Sequence, residues 1–374
     1  MDADVAVIGT GTMGAMTAWR LAEAGLSTIA FERFGIGHDR SAAGGESRIF
    51  RTAYLEGPEY VPLLRRSQEL WRDLERDTGQ ALLDLTGALM IGVDGSPHMG
   101  NVLESVRRFD LPHEVLDRAA MASRYPQHVL ADGEFAVFDP NAGVLRPEFA
   151  VIGAARRAAE RGARLVPHTA VQEVAPDTDG VTVRTPDRTY RVRHVVVAAG
   201  PWTARLLPQY AGRVDVRRIV MTWFRAGDPA AYAPDRFPIF IREDTGYDVF
   251  GIPTLDGGSV KIALTDNYGA VGEPEQLDHD VPPADLETVS HAAATYLADL
   301  HDYPHRVSVH MDGYTPDRHP IVGPVPGHPN ITVLGGFSGH GFKMSPAIAE
   351  AAVDLITKGE TTLPITHLNP SRFA

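Results

Sequence analysis

Hydrophobic and polar positions follow two rhythms along this chain. Near the start, VAVI (5–8) is an unbroken apolar run, GTGTMG interrupts it, apolar residues then recur at helical spacing, and STIAFE (27–32) is a second apolar run. That order predicts strand, glycine turn, helix, strand. Residues 59–79, EYVPLLRRSQELWRDLERDTG, place Leu63, Leu64, Leu70, Trp71 and Leu74 on one helical face and stop at Gly79. GALMIGV (87–93) reads as a strand and residues 147–161 as an alanine-rich helix. ARLVPH, AVQEVA, GVTVRT and RTYRVRHVVVAAGPW, between 163 and 202, are short alternating segments that read as a β-meander returning to a strand that ends on Gly200. Residues 214–265 read as antiparallel throughout, with DGG at 256–258 as a hairpin turn. A helix over 283–300, the strands RVSVHM and NITVL, and the helix PAIAEAAVDLI complete the pattern.

Parallel-type strand–turn–helix units thus stand at the two ends and an antiparallel stretch is threaded between them. We expect an α/β fold (α+β overall): a Rossmann-type domain with a second domain built on an antiparallel sheet. The 374 residues exceed one compact core. The expected division is 1–80, 145–213 and 315–374 for a discontinuous cofactor domain, with 81–144 and 214–314 for the substrate domain.

Composition narrows the functional classes. A net charge of −13 argues against nucleic acid or an anionic membrane as partner. No apolar run approaches the ~18 residues of a membrane span, and MDADVAVIG has no basic signal-like region. The expected location is the cytoplasm. Zero cysteines exclude disulfides, thiolate metal sites and a cysteinyl cofactor link. His291, His301, His305, His310 and His319 lack tight ligand spacing, so no metal is expected.

Gly9, Gly11 and Gly14 form G-x-G-x-x-G between a strand and a helix, and Glu32 follows 23 residues after Gly9 at the end of the second strand. Bare backbone and a helix N-terminus suit a pyrophosphate, and the acid suits ribose hydroxyls. An acid there disfavours a 2′-phosphate, leaving FAD or NAD. Gly200 offers a second backbone approach. Near the C-terminus GGFSGHGFKM (335–344) strips side chains away between a strand and a helix, which also implies close approach of a ligand.

These motifs, with ESRIFRTAY (46–54), EYVPLLRRSQELW (59–71), GVLRPE (143–148), SVKIAL (259–264), TPDRHPIVG (315–323) and GGFSGHGFKMS (335–345), give a chain that resembles the monomeric sarcosine oxidase and N-methyltryptophan oxidase family, FAD enzymes of the glycine oxidase and D-amino-acid oxidase superfamily. The resemblance covers nearly the whole chain. It implies FAD as cofactor, held by Gly9, Gly11, Thr12, Met13, Gly14, Glu32, Arg33, Ser41, Arg48, Val171, Gly200, His310, Gly336, Gly339, His340, Gly341 and Lys343. The glycine-rich loop would lie under the flavin's pyrimidine end, its N–H groups facing the charge of the reduced ring. Arg51 and Lys343 would bind a substrate carboxylate. Lys261 would activate oxygen; it points away from the face of Val260, Ile262 and Leu264. Arg48 falls in both the catalytic and the cofactor sets.

The chain also departs from that family. His310 stands where most covalent members link the flavin through cysteine, so non-covalent FAD is expected, with a histidyl link as the remote alternative. Phe250, Thr265 and Asp312 replace a tyrosine, a histidine and a second tyrosine of the sarcosine enzymes. Phe250 and Asp312 enter the substrate set, Asp312 either holding a cationic amine or capping a loop. The implied activity is oxidation of the C–N bond of an amino acid or N-alkyl amino acid by a monomer using O₂. A dehydrogenase with another acceptor, or an FAD-bearing assembly subunit, remain the alternatives.

Overall fold

The computed structural model describes residues 1–265 and 269–373. It has the expected mixed α/β architecture, in two large sheets. In the first, the strand Ala3–Ile8 lies between Thr28–Phe31 and Thr189–Val197, parallel to both. His328–Gly335 runs parallel to Thr189–Val197 on its far side. These strands are nearly all apolar because both faces are covered: the helices Thr12–Glu23, Val61–Thr78 and Ser345–Lys358 share one apolar cluster with them, and Leu206, Leu207 and Tyr210 pack on the other face. Glu173–Asp177, Gly180–Arg184 and Thr189–Val197 form the expected meander. Arg164–Val166 does not belong to it. That segment pairs in parallel with Thr28–Phe31 at the opposite edge, because the helix Pro147–Glu160 packs against Thr12–Glu23 and delivers the chain there.

Among the described residues the second sheet has nine strands. Asp215–Arg225 pairs antiparallel with Arg306–Tyr314 and with Ser259–Leu264, which continues to Val249–Ile252 and Ile239–Arg242. The pairings within 214–265 are antiparallel, as expected, and among the described residues the parallel seam of this sheet joins Ile239–Arg242 to Ala88–Val93, outside that stretch. The Asp256–Gly258 turn is as expected: the Asp256 carboxylate accepts the N–H groups of Gly258 and Ser259. The helix read over 283–300 is Pro283–Tyr296; Leu297 and Leu300 instead make β-bridges to His128 and Ala226. A small third sheet joins Arg48–Phe50, Gly143–Leu145 and Leu83–Asp84. Val61–Thr78 ends on Gly79, whose N–H bonds Glu75 O. Among the described residues no helix is long and apolar enough to cross a membrane.

Candidate functional site

Two cavities meet between the sheets. The first, about 340 Å³, begins at the turn after Ala3–Ile8. Gly9 has φ 88°, and a Cβ there would stand 2.6 Å from Ala198 O, so only glycine lets the chain turn against the neighbouring strand. Thr12–Glu23 begins at Gly11 with no side-chain cap, leaving its first N–H groups for a ligand. Glu32 lies at the end of Thr28–Phe31 and is buried. It accepts Thr10 N–H at 2.8 Å and Phe34 N–H at 2.9 Å, with His38 Nε2 at 3.2 Å. Burial opposes its charge, but His38 and the two N–H groups outweigh that and hold its carboxyl below the ordinary value. The same cleft is lined by Thr12, Met13, Arg33, Ser41, Arg48, Val171, Gly200, Gly339 and Gly341.

A cleft with an uncapped helix N-terminus, a terminal acid and two glycine-rich walls fits FAD. Five of the residues expected to hold it lie elsewhere. A Cβ on Gly14 would stand 1.7 Å from Gly9 O, so Gly14 lets helix and strand pack closely. Gly336, at φ 63°, would put a Cβ 2.5 Å from Thr315 Cγ2 and serves the turn itself. His310, His340 and Lys343 line the second cavity. Both nitrogens of His310 are engaged, Nδ1 donating to Asp39 O at 3.1 Å and Nε2 accepting from Ser308 Oγ at 2.9 Å. Burial, then Arg48 and Lys261, lower its pKa to about 4. With no cysteine in the chain a cysteinyl flavin is excluded, which is consistent with non-covalent FAD.

The second cavity, about 390 Å³, shares Ala42, Arg48, Asp312, Gly339 and Phe342 with the first, so the two join there. It brings together every residue expected to meet substrate or oxygen: Arg51, Phe250, Lys261, Asp312 and Lys343. Arg51 stacks on the Tyr54 ring, its Cζ 4.4 Å from the centroid, and pairs with Glu56 at 2.7 Å; its Nε and Nη1 have no hydrogen-bond partner among the described residues. Lys343 Nζ lies 5.3 Å from the same ring and donates to His340 O at 3.0 Å and Tyr54 Oη at 3.4 Å. His340 Nε2 lies 2.9 Å from Arg318 O, a pure acceptor, so Nε2 carries the hydrogen and Nδ1 accepts from Tyr54 Oη at 2.9 Å. Burial, then Arg51 beside it, lower the Lys343 ammonium to about 7, against the pull of Glu56.

Lys261, on Ser259–Leu264, turns away from the cluster holding Val260, Ile262 and Leu264, as expected. Its Nζ donates to Gly45 O at 2.8 Å and to Ser47 O and Oγ at 3.3 Å. Burial, then Arg48, push its pKa well below the usual lysine value. Gly45 is where Lys261, His310 and Arg48 converge: a Cβ there would lie 3.2 Å from His310 Nε2 and 3.5 Å from Lys261 Nζ. Arg48 donates to Ser47 O at 2.6 Å and Gly44 O at 2.5 Å, and burial lowers its pKa to about 10.

Sequence reasoning missed several participants. Tyr54 closes ESRIFRTAY, where nothing in the sequence marks its role; Glu56, Glu243 and His98 are common residue types with no spacing signal. Glu275 lies far along the chain, yet its carboxylate accepts from Arg33 at 2.6 Å, Arg205 at 2.8 Å and Trp202 Nε1 at 3.1 Å at the edge of the cofactor cleft. The fold also gathers Glu59, His319 and His367, one ligand atom of each within 4.8 Å of the others, outside both cavities.

Comparison with known proteins agrees with this geometry. The family model for FAD dependent oxidoreductases (DAO) matches residues 4–355. The monomeric sarcosine oxidase of Streptomyces avermitilis is 36% identical over 99% of this chain and 98% of its own. The N-methyl-L-tryptophan oxidase of Salmonella dublin is 29% identical over the full length of both. Among solved structures NikD, an unusual amino acid oxidase essential for nikkomycin biosynthesis, superposes with a TM-score of 0.85 at 22% identity, over 98% of this chain and 97% of its own. The chain belongs to the FAD-dependent oxidoreductase family.

Proposed function

We propose that this protein is an FAD-dependent oxidase of the C–N bond of an amino acid or N-alkyl amino acid. The observation that carries the reading is one cavity holding the cations Arg51 and Lys343 around Tyr54, joined to the cofactor cleft at Arg48 and Asp312, with Lys261 on its wall. Two relatives named for sarcosine and N-methyl-L-tryptophan, both N-methyl amino acids, support the substrate class.

Arg51 and Lys343 take the substrate carboxylate, Arg51 through donors that no group among the described residues uses. Phe250 gives an apolar wall, and Asp312 faces the amine where the cavities join. Gly9, Gly11, Thr12, Met13, Glu32 and Arg33 would hold one end of the dinucleotide, and Gly339 and Gly341 would serve its flavin end. FAD held there would supply two-electron redox chemistry, by which the C–N bond becomes an imine, which water hydrolyses, and O₂ becomes H₂O₂. Lys261 places a cation where oxygen becomes an anion.

The test is anaerobic addition of primary and N-methyl amino acids to the yellow holoenzyme, followed by air and a peroxide assay. Bleaching by an amino acid, with peroxide on admission of air, is expected. A colourless protein, or a flavin that no amine bleaches, overturns the reading. Bleaching with sluggish recolouring in air and fast turnover with a dye favours the dehydrogenase alternative.

A further inference from the structure

We propose that Asp312 takes up the proton that the substrate's ammonium group must shed before its C–N bond is oxidised. The inference rests on the amine oxidase reading above. Of the five residues shared by the two cavities, Asp312 is the one acid. It stands on Arg306–Tyr314, where His310, Asp312 and Tyr314 alternate onto the face that lines the cavity.

Its carboxylate is oriented by backbone. Oδ1 accepts Gly313 N–H at 2.8 Å and Oδ2 accepts Gly339 N–H at 2.9 Å. A carboxylate oxygen accepts two such bonds, so each keeps a site for a substrate N–H. Asp312 therefore does cap the glycine-rich loop, and the same geometry aims it. The other cavity acids are engaged or exposed: Glu56 by Arg51, Glu243 by His98 at 3.1 Å, while Asp248 is exposed.

The charged and titratable groups around Asp312 come from each neighbouring element. Arg48 approaches from Arg48–Phe50, and Lys261 lines the cavity from Ser259–Leu264. Arg217 is its cross-strand partner on Asp215–Arg225, with its guanidinium over the Tyr314 ring. His310 is on the same strand and His340 in the loop. Burial raises the Asp312 carboxyl to about 6, against Gly339 N–H, Gly313 N–H and Arg48. It is therefore a stronger base than an ordinary aspartate.

The chemistry demands such a group. An ammonium nitrogen has no electron pair from which to form the C=N bond. Breaking one N–H bond leaves that pair on nitrogen, and the proton forms an O–H bond on Asp312. An anion and a cation become two neutral groups, which a cavity of low dielectric favours. The carboxyl releases the proton to solvent when product leaves.

The test is the pH dependence of anaerobic flavin reduction by an amino acid that bleaches the unmutated holoenzyme, with FAD content measured in every variant. The acid limb of the unmutated enzyme should lie well below the free amine's own pKa. In Asp312→Asn it should move up to that pKa, slowing reduction at pH 7 by about 100-fold while the rate above the amine's pKa recovers to within about threefold. Asp312→Glu, which keeps the acid, should retain the low limb. An unmoved limb in Asp312→Asn overturns the inference, as does an equal loss at every pH, which marks a loop-positioning role through Gly339. If no amine bleaches the unmutated holoenzyme, this inference falls with the function it rests on.

Discussion

Arg51 Nη2 lies 2.7 and 2.8 Å from the two oxygens of Glu56, so the proposed substrate anchor carries its own counter-ion inside the cavity. Burial opposes the Glu56 charge, but Arg51, then His340 and Lys343, lower its carboxyl to about 2, and it stays ionised at neutral pH. Removing Arg51 therefore deletes a cation and strands an anion beside the substrate carboxylate. Losing a charge-assisted hydrogen bond costs roughly 1.5–3 kcal/mol, or about 10- to 150-fold in affinity. Lys343→Ala should raise KM within that range and Arg51→Ala should reach or exceed its upper end, with FAD content unchanged. Steady-state kinetics of both variants decides it; equal small effects would place the carboxylate elsewhere.

The Lys343 ammonium, lowered to about 7, sets a pH dependence whose sign is fixed. It is charged below that value and loses its charge as pH rises through it. A simple carboxylate such as propionate, which has no amine to titrate, isolates the effect. Its dissociation constant should climb by up to about tenfold per pH unit above the Lys343 pKa. Lys343→Met should bind propionate more weakly and without that climb. A flat profile in the unmutated enzyme would remove Lys343 from carboxylate binding.

Lys261 separates the two half-reactions. A fixed ammonium helps when O₂ takes its first electron and contributes little to reduction by substrate. Lys261→Met should slow reoxidation by air on the order of 10²-fold, the scale of losing one oxyanion donor, and slow anaerobic reduction far less. Because its pKa lies well below the usual lysine value, reoxidation by the unmutated enzyme should decline with rising pH earlier than an ordinary lysine would cause. Stopped-flow measurement of both half-reactions checks this. Unchanged reoxidation would make Lys261 a structural lysine.

Glu275 ties Arg33, Trp202 and Arg205 together where they line the cofactor cleft. For FAD held without a covalent link, as expected here, such contacts set how long it stays. Each exposed ion pair contributes modestly, so Glu275→Ala should release FAD about three- to tenfold faster. The recovery of flavin fluorescence on dilution reads this, and high salt should narrow the difference. An unchanged release rate would make the cluster a surface feature.

Legibility in the sequence followed locality. Gly9, Gly11 and Glu32 were readable because turn, helix N-terminus and acid lie within one short unit, and the Asp256 turn because a hairpin is self-contained. The position of Arg164–Val166 was not, since its strand-like pattern is the same at either edge of a sheet. Gly14 and Gly336 read as ligand glycines because composition cannot tell a bare backbone that faces a cleft from one that faces Gly9 O or Thr315. Lys261, Arg51 and Lys343 converge from three distant segments, and it was resemblance to a family that joined them in advance. Glu56 and Glu275 had no signal, because an acid acquires its role from the arginine that folding brings to it.

Lys343, Tyr54 and His340 form a chain of donors that ends on the Arg318 carbonyl, and this chain has a direction. A backbone oxygen holds one end, and a single hydroxyl hydrogen separates the imidazole from the ammonium. Anything that draws Lys343 toward a bound carboxylate weakens its donation to Tyr54 and alters the hydrogen bond received by His340 Nδ1. The ¹⁵N resonance of that ring nitrogen thus becomes a remote gauge of occupancy, readable without turnover and without a label on the substrate.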